Sequence, residues 1–167
     1  MKKLTLLTLA SFSMLFYSCG SGNNESSTTS GTPEASEPEL PRSIAEGKGI
    51  GEITEVNLED ELDPDMVKMG NSIYDIKCSA CHKLTDQRVV GPGFAGVTNR
   101  RRPEWIMNMI TNVDVMLEKD PTAQALLEEC LTRMPNQNVS IGDARSVLEF
   151  FRSNDMDKTG EKDGAVG

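Results

Sequence analysis

Apolar and polar positions change pattern several times along this chain. Leu4 to Tyr17 is a mostly apolar run of fourteen residues behind a basic Met1-Lys2-Lys3. Residues 20–43 are almost entirely Ser, Thr, Gly, Asn, Glu and Pro. Such a stretch cannot bury enough surface to offset its ordering entropy, and it predicts a disordered tether over 19–46. Residues 47–65 stay acidic but gain Ile50, Ile53, Val56, Leu58 and Leu62, which predicts an extended arm wrapping over the domain that follows.

From Asp63 onward the apolar spacing becomes helical and the punctuation matches it. Asp63-Pro64-Asp65 supplies an N-cap, a proline at the first helical position and a first-turn carboxylate, opening a helix to about Lys77. Val67, Gly70 and Tyr74 share a face there, and Gly70 has no side chain to hold off a crossing helix. Arg102-Pro103-Glu104 opens a second helix carrying Trp105, Ile106, Met109, Ile110 and Val113. Asp120-Pro121 opens a third, whose stripe of Ala123, Leu126, Leu127, Cys130 and Leu131 predicts a buried face with Cys130 as a small hydrophobe. Ser140 to Asp143 opens the last, with Ala144, Val147, Leu148 and Phe151 on one side. Residues 154–167 are polar and predict a frayed tail. No segment alternates like a strand, so the fold class is all-α, with the domain at 66–153.

Charge divides unevenly. The net charge is −9, yet residues 19–65 hold twelve carboxylates against Arg42 and Lys48, while residues 66–167 hold fourteen against thirteen cations. The acidity belongs to the tether and arm, and nothing in this balance supports nucleic-acid binding. The initial apolar run is short of the roughly 20 residues of a comfortable membrane span and fits an export signal over 1–18. Cys19, between Leu15-Phe16-Tyr17-Ser18 and Gly20-Ser21-Gly22, resembles a bacterial lipoprotein processing site. That resemblance implies cleavage before Cys19, lipidation of its thiol and a domain lipid-anchored on the periplasmic side of a bacterial membrane.

The candidate chemistry lies in Cys78-Ser79-Ala80-Cys81-His82, which contains the single histidine of the chain. C-x-x-C-H is the attachment signature of haem c. Two thiols on one helical turn can each add to a vinyl group of the macrocycle, and the adjacent imidazole lies under the iron. A thioredoxin-like dithiol would sit after a strand, and a zinc ion would need four ligands where only Cys130 remains to join the three. With one histidine, a second imidazole on the iron is excluded.

Over residues 66–153 the chain resembles the class I monohaem cytochromes c. The residues that carry this are the opening helix with Gly70 and Tyr74, Cys78 to His82, Val90-Gly91-Pro92-Gly93-Phe94, Met134-Pro135 and the closing helix. The resemblance implies one covalently attached haem c in a small helical domain whose first and last helices cross. It also implies that the Pro92 carbonyl accepts the other ring N–H of His82. Met134 is the candidate sixth ligand: it follows a helix end, precedes Pro135 and lies 52 positions after His82, enough chain to return on the distal side. Met116 is the runner-up.

These expectations describe a membrane-tethered single-electron carrier and not an enzyme, serving redox partner proteins in the periplasm. Gly49-Ile50-Gly51, Arg100 to Ile106 and Met134 to Asn138 further resemble haem c modules associated with nitrous oxide reductase, with a terminal oxidase as an alternative partner. The competing readings are a sensor or enzyme with five-coordinate iron and a cytochrome kept mainly as a docking subunit. Arg100-Arg101-Arg102 is a candidate docking patch for an acidic partner or a solvated loop before a helix.

Overall fold

The structure, a computed structural model, describes residues 40–166. Its elements are a single turn α1 (Arg42–Ala45), α2 (Pro64–Lys77), a short α3 (Val97–Arg100), α4 (Pro103–Thr111), α5 (Val113–Lys119), α6 (Pro121–Cys130) and α7 (Ile141–Thr159), followed by a 3-10 turn at Gly164–Val166. Among the described residues there is no strand, only an isolated bridge between His82 and Arg88. Among the described residues, no helix is long and apolar enough to cross a membrane. The signal, Cys19 and the tether up to residue 39 lie outside the described residues.

The caps form as local chemistry dictates. Asp63 accepts from the Asp65 and Met66 N–H groups, Asp120 from Ala123 and Ser140 from Asp143, each satisfying donors that a helix start leaves unpaired. The frame of the fold is α2 laid across α7. A Cβ on Gly70 would lie 2.0 Å from the Ser146 carbonyl oxygen, so only glycine lets the two backbones approach this closely. Tyr74, Ala144, Val147, Leu148, Phe150 and Phe151 fill the core at and beside this crossing.

Four sequence expectations need correction. The predicted second helix breaks at Asn112, whose φ of −136° leaves the helical region, and Val113 starts α5. Leu131 does not join the α6 stripe: it is the C-cap, at φ 56° with its side chain 88% exposed, and Cys130 is half-buried. The tether does not extend to residue 46, because α1 and a backbone bond from Lys48 N–H to the Ser43 carbonyl (2.8 Å) give this stretch fixed structure. Nor is the chain frayed from 154. Helix α7 runs on to Thr159, and Asp155, fully buried, accepts from the Gly96 and Thr98 N–H groups and the Thr98 hydroxyl. Arg152, 1% exposed, binds Glu149, Asp163 and the Glu59 carbonyl together. Polar residues read as solvated are here paired with one another, which is what burial of polar groups requires.

The arm packs onto the helices. The Asn108 side-chain amide donates to the Lys48 and Ile53 carbonyls and its oxygen accepts from Ile53 N–H, while Asn112 donates to the Ile50 carbonyl. Ile53 is buried as a result.

Candidate haem site

The last turn of α2 delivers the attachment residues. Cys78 caps the helix, with its N–H on the Tyr74 carbonyl, and the Cys81 and His82 N–H groups both reach the Cys78 carbonyl, at 3.1 and 3.0 Å. One turn of chain thus aims two thiols and an imidazole at one cavity. Burial pushes the free Cys78 thiol up to about 11, with Lys77 pulling the other way.

His82 is 8% exposed and gripped from every side. Its Nδ1 lies 2.9 Å from the Pro92 carbonyl oxygen, so the proton belongs on Nδ1 and Nε2 is left free. Its own carbonyl accepts the Tyr74 hydroxyl at 2.7 Å. One face of the ring stacks on Phe94, centroids 4.4 Å apart and planes 10° apart. The other face meets Gly91, where a Cβ would lie 2.3 Å from the ring. This works because residues 83–95 fold back on the attachment turn: Gly91 N–H donates to the Cys81 carbonyl (3.0 Å) and Phe94 N–H to the Lys83 carbonyl (2.8 Å). Burial lowers the His82 pKa and the Pro92 bond partly opposes it, so the neutral ring, the form that ligates a metal, is favoured.

The cavity is partly open to solvent. Trp105, Ile106, Ile110, Leu117, Leu126, Leu127 and Val139 make an apolar wall, and Lys77, Arg100, Arg101 and Arg133 are the charged residues on it. Both thiols, one imidazole, an apolar wall and cations without a lining carboxylate fit haem c, a flat apolar macrocycle with an iron and two carboxylates. Cys78 and Cys81 would hold it by thioether bonds, with His82 toward the iron.

No protein-family model and no curated protein matches the chain. Cytochrome c from Rhodothermus marinus is 31% identical, with a TM-score of 0.65, over 71% of this chain and 99% of that one. The chain belongs to the cytochrome c family. An engineered form of the same Rhodothermus marinus cytochrome matches at 31% identity and a TM-score of 0.62, over 68% of this chain and 96% of that one. Another engineered form, bound to a carbene intermediate, matches at 32% identity and 0.60, with the same coverage. This cytochrome is therefore an all-α haem c protein of an electron-transfer class.

Of the methionines weighed from sequence, Met134 lies on the cavity wall, half-buried, in the segment between α6 and α7. Met116 does not line the cavity. It is fully buried, and its Sδ accepts the Ile50 N–H at 3.1 Å, an anchor for the arm. Met109, placed by the sequence on the second predicted helix, also reaches the wall, as does Cys130. Sequence reasoning missed the Phe94 stack and the Tyr74 hydroxyl. The motif around Phe94 was visible, but its role depends on a fold-back that no local pattern announces. Arg100 and Arg101 line the cavity, and Arg101 lies 5.3 Å from the Trp105 ring centre. Arg102 turns instead to Glu104, at 3.5 Å.

Proposed function

We propose that this cytochrome is a single-electron carrier whose haem iron is bound by His82 and Met134. The observation that carries the reading is the common cavity of His82 and Met134, with Met116 committed to the arm. When bound, haem c supplies one-electron exchange between ferrous and ferric iron. His82 would offer a neutral nitrogen held by Pro92, and Met134 a thioether, which raises the potential relative to a second imidazole. With His82 and Met134 both given to the iron, no position would remain for a substrate, and an electron would pass with little rearrangement. The test is the spectrum of the holoprotein. Six-coordinate low-spin iron with a sulfur-to-iron charge-transfer band is expected, lost in Met134→Leu and kept in Met109→Leu. High-spin iron that binds carbon monoxide readily would overturn it.

The proposal extends to location and partner. Cys19 behind an export signal supports a lipid anchor on the periplasmic side of a bacterial membrane, and a labelled fatty acid should mark the wild type and miss Cys19→Ala. An exported respiratory reductase is the proposed partner class, nitrous oxide reductase in particular, supported by the resemblance in residues 49–51, 100–106 and 134–138. If the reduced cytochrome delivers no electrons to that purified enzyme, this partner is wrong while the carrier reading stands.

A further inference from the structure

Asp155 is fully buried, and only neutral groups hold it. Its Oδ1 accepts the Gly96 N–H at 2.7 Å, and its Oδ2 accepts the Thr98 N–H at 2.8 Å and the Thr98 hydroxyl at 2.7 Å. That hydroxyl accepts the Asp163 N–H at 3.2 Å, so its own proton is free for Asp155. Among the described residues no cation pairs with this carboxylate. Arg152 is bound to Glu149 and Asp163, and Arg100 turns to the Ala95 and Gly93 carbonyls. An interior charge without a counter-charge is costly, and three neutral donors offset only part of that cost. Packing alone gives no reason for a carboxylate at this position.

Its place in the fold supplies one. Residues 83–95 close both faces of the His82 ring, and α7 holds this fold-back at both ends with adjacent side chains. The Asn154 amide donates to the Leu84 carbonyl at 3.1 Å, two positions after His82. Asp155 holds Gly96 and Thr98, just past Phe94. Between these two anchors Phe151, one turn earlier on α7, packs on Phe94 with ring centroids 4.5 Å apart. Val97, between the two residues that Asp155 binds, lines the haem cavity, as do Phe94 and Phe151. The charge therefore lies behind the cavity wall on the Val97 side.

We propose that Asp155 is a positioning residue for electron transfer, which anchors the end of the fold-back that presses Phe94 on His82 and sets the potential through its uncompensated charge. The inference rests on the electron-carrier reading. Ferric iron carries one positive charge more than ferrous iron, so a fixed anion behind the wall favours the ferric form and lowers the potential. A thioether opposite His82 acts in the other sense. The two together place the couple between what either alone would give. In each turnover the iron gains or loses one electron. Asp155 makes no bond, breaks none and passes no proton.

The experiment compares the holoprotein as wild type, Asp155→Asn and Thr98→Val, by redox titration against a one-electron dye and by hydrogen exchange. In Asp155→Asn the equilibrium constant with the dye should move about tenfold toward ferrous iron, a rise of about 59 mV. The Gly96 and Thr98 amides should exchange faster than in the wild type, in both oxidation states. An unchanged potential or unchanged exchange overturns the proposal. So does a move toward ferric iron, which is the result of a merely structural loss, since a loosened wall admits water and water favours the more charged iron. Where Asp155→Asn does not fold, Thr98→Val decides. It keeps the charge and removes one donor that screens it, so the constant should move about two- to threefold toward ferric iron. No move, or a move toward ferrous iron, overturns the proposal. High-spin iron in the wild type would strike the carrier reading alone, because the difference between wild type and variant is read on the same iron.

Discussion

A single imidazole has to present one nitrogen in one orientation, and in this chain four separate residues see to it. Tyr74 holds the His82 carbonyl, Pro92 takes Nδ1, and Phe94 and Gly91 close the two ring faces. Removing the Tyr74 hydroxyl alone leaves a buried carbonyl without its partner while keeping the ring that packs on Phe150 and Phe151. Tyr74→Phe should therefore lower stability by about 1–2 kcal/mol in denaturant titration, with the spectrum retained. A loss near zero would mean that water replaces the hydroxyl. The attachment residues were legible in the sequence because their chemistry lies within five consecutive positions. The role of Phe94 was not, because it lies twelve positions beyond His82 and only the return of residues 83–95 joins them.

Among the elements, the crossing of α2 and α7 was expected from the family resemblance, which Gly70 and the Leu148/Phe151 face suit, whereas the chain end was misread. Composition after residue 154 resembles a frayed tail, and composition does not reveal that Asp163 meets Arg152. Burial alone would raise the Asp163 pKa, but the bonds from Arg152 and Lys162 outweigh it and hold the group below its ordinary 3.8. The sign follows directly. A carboxylate depressed in the folded state contributes stability at pH above its unfolded value, and that contribution is lost as pH falls through the folded value. Residues 160–166 should thus lose amide protection below pH 3.8, ahead of the α2 and α7 core, in hydrogen-exchange measurements. In Arg152→Met the acid sensitivity of this segment should disappear. That variant should also be destabilised by about 3 kcal/mol, since Glu149, 1% exposed, keeps only Arg145 of its two arginine partners.

For the whole molecule, net charge and local charge give opposite expectations. The chain carries −9, and most of its acidic excess precedes residue 66. No arm residue lines the haem cavity, and the arm's bonds run to Asn108, Asn112, Met116 and the Arg152 and Glu149 side chains. An acidic partner steered by net charge would be repelled, and added salt would speed the reaction. Steering by Lys77, Arg100, Arg101 and Arg133 would be attractive, and salt would slow it. Because charges beyond a Debye length of about 8 Å at physiological ionic strength are largely screened, the rim should prevail at close approach. The second-order rate with an acidic copper protein should therefore fall by roughly three- to tenfold between low salt and physiological ionic strength. A rise would assign control to the arm. Substituting Glu52 and Glu55 with Gln, both exposed on the arm, shifts the net charge by two and should leave the slope as it is. Substituting Lys77 and Arg100 with Gln shifts it by two in the other sense and should flatten the slope. Equal responses to the two pairs would mean that total charge, and not the cavity rim, steers the encounter.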